Sequence, residues 1–185
     1  MRPKDPQNLQ DLNIVMEYCP WTLKSFMAAN SDKIDLDHIK YFTYEIVKGV
    51  LFMHSKGIMH RDLKPLSILA TDGMQIKISD FGQSNVKTND INQDYNLTRY
   101  VTTRFYRAPE LYLDYETNYS TAVDMWSIGC IIAEFFNKQI FVIANSDDEY
   151  LESLLRILGA PSENIRSEIR NKKFLCYLTE TQTIR

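Results

Sequence analysis

Four short signals stand in fixed order through the middle of this chain, and they limit what it can fold into more than any other feature. They are His60-Arg61-Asp62-Leu63-Lys64-Pro65, Asp80-Phe81-Gly82, Ala108-Pro109-Glu110 and Asp124-Met125-Trp126-Ser127-Ile128-Gly129. Any one tripeptide is weak evidence; the ordered set is not. The segments around them must therefore build a scaffold that presents all four.

Those segments read as mostly helical. Asn13 to Cys19 is a short β-prone run stopped by Pro20, so a strand is expected there. Leu23, Phe26 and Met27 fall at helical spacing between Thr22 and Ala29. A long helix is predicted from near Asp35 or Asp37 to just before Gly57, with Ile39, Phe42, Ile46, Val50 and Met53 recurring every three or four residues. Ser67–Ala70 and Met74–Ser79 flank Thr71-Asp72-Gly73 and predict a hairpin with an Asp-Gly turn. Residues 83–107 form a long polar stretch without period, a length that is uncommon and usually functional or disordered. Helices return at about 120–136, 147–158 and 162–170.

Composition narrows the function classes. At 185 residues one domain is expected, and 44% apolar with 24% charged residues is ordinary for a globular chain. A net charge of -3 gives no basic footprint, so nucleic acid is not an expected partner. Cys19, Cys130 and Cys176 are scattered and make no zinc-ligand spacing, which suits a reducing compartment. The polar amino terminus does not read as a signal peptide. The most apolar stretch, Met125–Phe136, is interrupted by Glu134 and falls well short of the ~20 residues that span a bilayer, so no membrane association is expected. The location expected is cytoplasmic, or nuclear. Only six glycines are present, where average usage of about 7% would give roughly 13.

The ordered motifs resemble the carboxy-terminal lobe of a eukaryotic protein kinase. By that resemblance the fold is mainly α, within an α+β family fold, with a short β-hairpin and most of the amino-terminal lobe absent. Residues 1–19 would be the last strand of the small lobe and the hinge, and residues 20–185 an incomplete large lobe. The catalytic loop would be 60–67 and the activation segment 80–110. ATP and Mg²⁺ are the implied cofactors. Phosphoryl transfer is mostly positioning plus electrostatic stabilisation, which explains the residue types. Asp62 would accept or orient the substrate hydroxyl proton, Lys64 would reach the phosphate in the serine/threonine-kinase manner, and Asp80 would ligate Mg²⁺. The hairpin between the two aspartates would bring them to one cleft. Met16, Glu17 and Cys19 would meet the adenine. Asp124 would hold the catalytic loop's backbone, and His60 would be a satisfied core histidine rather than a base.

Thr98-Arg99-Tyr100 before Val-Thr-Thr-Arg-Phe-Tyr-Arg-Ala-Pro-Glu is similar to the activation lip of MAP kinases. So are Asp37-His38-Ile39-Lys40-Tyr41-Phe42 and Ile157-Leu158-Gly159-Ala160-Pro161-Ser162. The resemblance implies that an upstream dual-specificity MAP kinase kinase phosphorylates Thr98 and Tyr100. Arg104 and Arg107 would receive phospho-Tyr100, and Arg61 phospho-Thr98. Arg107 further implies protein substrates with Ser/Thr-Pro sites, and Thr103 would bridge Asp62 and Lys64.

Departures from the pattern shape the expected activity. Ser67 stands where an asparagine would hold the second Mg²⁺, and a hydroxyl is the weaker ligand. Asn85 replaces an arginine expected in the phosphothreonine pocket. No Gly-x-Gly-x-x-Gly covers the phosphates, and Glu110 is expected to lack its arginine partner. The chain alone is therefore expected to be nearly inactive. The alternative is a non-catalytic, pseudokinase-like binding module that competes with an intact kinase.

Overall fold

The computed structural model of the chain describes residues 14–86, 104–113 and 120–169, with Lys172, Phe174, Leu175 and Leu178 beyond them. Along the chain come β1 (Trp21–Thr22), α1 (Leu23–Ala29), α2 (Leu36–Ser55), β2 (Ile58–Met59), β3 (Ile68–Ala70), β4 (Ile76–Ile78) and β5 (Asn85–Val86). They are followed by α3 (Glu110–Leu113), α4 (Ala122–Asn137), α5 (Asp147–Leu158) and α6 (Glu163–Glu168), with short 3-10 turns at Phe81–Gln83 and Arg104–Tyr106. The fold is mostly helical with small antiparallel sheets, as the sequence implies.

Capping chemistry sets where the first helices begin. Thr22 accepts from the Ser25 N–H at 3.0 Å, and Ser25 Oγ accepts from the Thr22 N–H at 3.1 Å, so α1 starts on a reciprocal pair of bonds. Asp35 Oδ1 accepts from the N–H groups of Asp37 and His38 at 3.0 Å each and opens α2. Gly57, just past its end, takes φ 73°, a left-handed conformation that glycine adopts without steric cost. All five residues of the predicted apolar stripe, Ile39, Phe42, Ile46, Val50 and Met53, are buried.

That helix packs on α4 and on β4. Phe42 stacks on Phe135 with ring centroids 5.6 Å apart, and Leu63, Ile68, Ile128 and Ile131 complete this core. A second core gathers Tyr112, Val142, Tyr150, Leu151 and Leu154 with Ile169, Phe174 and Leu178, and Trp126 and Phe141 pack against both. Met125 and Phe136 at the two ends of the apolar stretch of α4 are exposed, so the helix is not covered on every side.

One expectation needs correction. Ile14–Cys19 forms no strand, and Ile14, Val15, Met16 and Tyr18 are exposed. A β-prone run needs a neighbouring strand to satisfy its backbone; the short strand β1 begins only at Trp21, where β3 supplies one. The expected hairpin is present, with Ala70 opposite Ile76, and Asp72-Gly73 are the central residues of its turn. The Met74 N–H donates to the Thr71 carbonyl at 2.9 Å and the Thr71 N–H to Gln75 at 3.0 Å, and Met74, not Gly73, takes the left-handed φ of 60°. The five-residue loop is a four-residue turn closed by one left-handed position.

Candidate active site

The hairpin ties the catalytic loop to the residue before Asp80. In β3 and β4 Ile68 faces Ile78, and one residue outward the Ser79 N–H donates to the Ser67 carbonyl at 2.8 Å. Ser79 Oγ donates to the same carbonyl at 3.1 Å. The Ser79 carbonyl in turn accepts from His60 Nε2 at 2.8 Å. His60 is fully buried, and its Nδ1 lies 3.3 Å from the Asp62 N–H. With Nε2–H donating and Nδ1 accepting, the hydrogen-bond network assigns the neutral imidazole, and both nitrogens are committed. A core histidine, as expected from the sequence, fits this placement.

Asp124 completes the frame from the first turn of α4. Its Oδ2 accepts from the His60 N–H at 2.9 Å and lies 2.8 Å from His54 Nε2, while Oδ1 accepts from the Arg61 N–H at 2.8 Å. The carboxylate is fully buried. Its bonds hold Arg61 at φ 68°, a left-handed geometry that costs an L-residue about 1–2 kcal/mol.

The frame brings together three charged groups. Lys64 Nζ lies 2.5 Å from Asp62 Oδ2 and 3.8 Å from Asp80 Oδ2. Asp62 and Lys64 are buried, whereas the Asp80 side chain is 59% exposed and Asp80 sits at φ 64°. One ammonium therefore stands between an inner and an outer carboxylate. Asp80, open and anionic, has the hard oxygens that a magnesium ion prefers. Ser67 is fully buried, and its Oγ accepts from the Lys64 N–H at 3.0 Å and donates to the Lys64 carbonyl at 2.9 Å. Its hydroxyl closes the catalytic loop on itself, bonded on both sides to the Lys64 backbone. Among the described residues no cluster of three His, Cys, Asp or Glu is arranged to hold a metal.

The remaining predicted residues divide by position. Met16 and Glu17 are exposed, Cys19 is half-buried, and Glu17 pairs with Lys77 on β4 at 3.0 Å. Arg61 Nε donates to the Gln83 carbonyl at 2.6 Å, linking the catalytic loop to the turn after Asp80. Arg104 pairs with Asp147 at 3.2 Å. Arg107 is half-buried and its carbonyl accepts from Tyr150 Oη at 3.0 Å. Glu110 opens α3, and among the described residues it makes no ion pair. Thr98, Tyr100 and Thr103 lie outside the described residues.

Sequence reasoning missed Glu134. It read this residue only as an interruption of an apolar stretch; here it is buried on α4, salt-bridged to Lys24 Nζ at 2.8 Å and accepting from Tyr106 Oη. A carboxylate inside an otherwise apolar helix was the available signal, because a buried charge needs partners. Burial, then the hydrogen bond to Glu134, push the Tyr106 phenol well above its ordinary pKa. Lys24, Glu134 and Tyr106 thus fasten α1 and the approach to Ala108-Pro109-Glu110 to α4.

A loop with paired Asp62 and Lys64, an exposed Asp80 beside them and a helix-borne aspartate clamping the loop's backbone make up the candidate site. Residues 6–175 match the protein kinase domain, and the chain belongs to that family. It is 37% identical over 180 residues to mitogen-activated protein kinase 18 of Arabidopsis thaliana, covering 97% of this chain and 29% of that protein. It is 38% identical over 178 residues to mitogen-activated protein kinase 17 of the same plant, covering 96% and 36%. With mitogen-activated protein kinase 12 of Oryza sativa subsp. japonica the identity is 36% over 179 residues, covering 97% and 31%. The chain spans about a third of the length of these relatives.

Proposed function

We propose that the chain is the large-lobe part of a MAP kinase-like serine/threonine kinase, which transfers the ATP γ-phosphoryl group to Ser/Thr-Pro sites of proteins. The observation that carries this reading is Lys64 Nζ between Asp62 and Asp80, at 2.5 and 3.8 Å. Asp62 takes the proton of the substrate hydroxyl, and Lys64 supplies positive charge where the transferring group passes. Asp80 holds Mg²⁺, which when bound neutralises phosphate charge. Met16, Glu17 and Cys19 line the adenine side. The location proposed is cytoplasmic or nuclear, and the activator an upstream dual-specificity kinase acting on Thr98 and Tyr100.

In the 185 residues alone, transfer falls far below the ordinary kinase range of about 1–100 s⁻¹. The sequence holds no Gly-x-Gly-x-x-Gly, and Ser67 Oγ is spent on the Lys64 backbone. The test compares phosphate transfer to Ser-Pro and Ser-Ala peptides by the longest natural polypeptide containing these residues, and by the 185-residue chain. The longer protein should prefer Ser-Pro, and Asp62→Asn should lower its rate by about 10²–10⁴. An Asp62→Asn variant within threefold of wild type sinks the reading, and ordinary turnover by the 185 residues alone sinks the claim of near-inactivity.

The placement of Ser67 favours one second reading, a non-catalytic binding module that competes with an intact kinase for partners. Under it the longer polypeptide transfers no phosphate yet still retains kinases or their substrates in a pull-down.

A further inference from the structure

We propose that Asp147 is a positioning residue that fixes Arg104, and with it the segment Arg104–Arg107, without any phosphate. The inference rests on the kinase reading, in which Arg104 serves a phosphorylated activation segment, and it assigns that arginine a carboxylate partner already present in the chain.

The contacts converge on four consecutive residues. Arg104 Nε is 3.2 Å from Asp147 Oδ1, and Arg104 Nη1 donates to the Asn145 carbonyl at 2.7 Å. Both acceptors are held in place. Asn145 donates through its N–H and Nδ2 to Glu149 Oε2, at 2.8 and 3.2 Å, and Asp147 stands in the first turn of α5, where the helix dipole favours an acid. The carbonyls behind Arg104 are held as well. Tyr112 Oη donates to the Arg104 carbonyl at 3.0 Å, Ser127 Oγ to that of Tyr106 at 2.7 Å, and Tyr150 Oη to those of Arg107 at 3.0 Å and Phe105 at 3.4 Å. Hydroxyls from α3, α4 and α5 thus hold the backbone of this segment, and the one charged side chain pinned at its start is Arg104.

Electrostatics set the direction of the effect. The first turn of α5 carries Asp147, Asp148 and Glu149. A phosphate brought to the same guanidinium meets like charge there. The segment is therefore ordered before phosphorylation, and phosphate at this arginine adds little to its order.

Hydrogen exchange of the recombinant 185-residue chain, shown unphosphorylated by intact mass, tests this without nucleotide or activity. Its outcome is thus separable from that of the transfer assay. The Arg107 amide, which donates to the Arg104 carbonyl at 3.1 Å, should exchange at least about tenfold more slowly than in an unstructured peptide. Asp147→Asn should accelerate it about two- to fivefold, the range of a half-exposed ion pair, and Asp147→Glu should restore it. Arg104→Gln should accelerate it about tenfold, through loss of the ion pair and a charge-assisted hydrogen bond together. The double variant should be no faster than Arg104→Gln, with the Val50 amide in α2 unchanged throughout. An Arg107 amide exchanging at the peptide rate in wild type, an Asp147→Asn variant identical to wild type, or effects that multiply in the double variant would each overturn the proposal.

Discussion

Replacing Asp124 by asparagine separates the two sides of its clamp. In the wild type Oδ2 serves the His60 N–H and His54 Nε2, and Oδ1 serves the Arg61 N–H. An amide has one oxygen, and its best orientation keeps the two partners on the Oδ2 side. Its NH₂ group then faces the Arg61 N–H, donor against donor. One buried donor left unpaired costs about 1–3 kcal/mol, partly offset as Arg61 leaves its left-handed φ of 68°. With a urea m-value of about 2 kcal/mol/M, the midpoint of the 185-residue chain should fall by roughly 0.5–1.5 M. Asp124→Ala removes all three acceptor contacts, at about 3–9 kcal/mol, and approaches the whole stability of a domain, about 5–15 kcal/mol. Amide exchange supplies the sharper readout. In Asp124→Asn the Arg61 amide should lose protection while the His60 amide keeps it. Equal protection of both, or a midpoint within about 0.2 M of wild type, would refute the assignment of the two oxygens.

Other outcomes follow from the same geometry. Ser67→Ala strands the buried Lys64 N–H and should cost about 1–3 kcal/mol in a urea melt, without the packing change a larger residue would bring. Burial pushes the Cys130 thiol up to about 12, and its side chain is buried on α4, so in the native chain a thiol reagent should label half-buried Cys19 at least about a hundredfold faster. Burial also raises Tyr106 and Tyr150 above their ordinary values. The folded state thus keeps protons on these three groups that the unfolded chain gives up above pH ~9. Their contribution is complete below that pH and lost as pH rises, by up to about 1.4 kcal/mol per group and pH unit, so the urea midpoint should fall steadily from pH 9 to 11.

What the residues revealed in advance was local. The stripe from Ile39 to Met53, the Asp35 cap and Gly57 at the helix end all follow from neighbours within one or two turns, and each is where the pattern put it. The motif resemblance pointed to Asp124 as holding the catalytic loop, and its three acceptor contacts match that role. The differences depend on burial or on partners distant in sequence. Ile14–Cys19 has the composition of a strand, but among the described residues none pairs with it. Ser67 was weighed as a ligand because its type is visible, whereas its burial and its bonds back to Lys64 are not. Arg104 pairs with Asp147, which lies beyond α3 and α4, and nothing local to either residue names the other. Glu134 was visible as an oddity, but nothing local names Lys24 or Tyr106 as its partners.

The Lys24–Glu134 bridge also sets a clock on biosynthesis. Its partners are 110 residues apart, and at 5–20 residues per second a ribosome needs roughly 5–20 s to make Glu134 after Lys24. For that interval α1 has no carboxylate to receive its lysine, and Phe42 of α2 has no Phe135 to stack on. Until α4 is made, the part of the α2 stripe that α4 covers has no partner from the chain itself, so α2 completes its packing only late in synthesis.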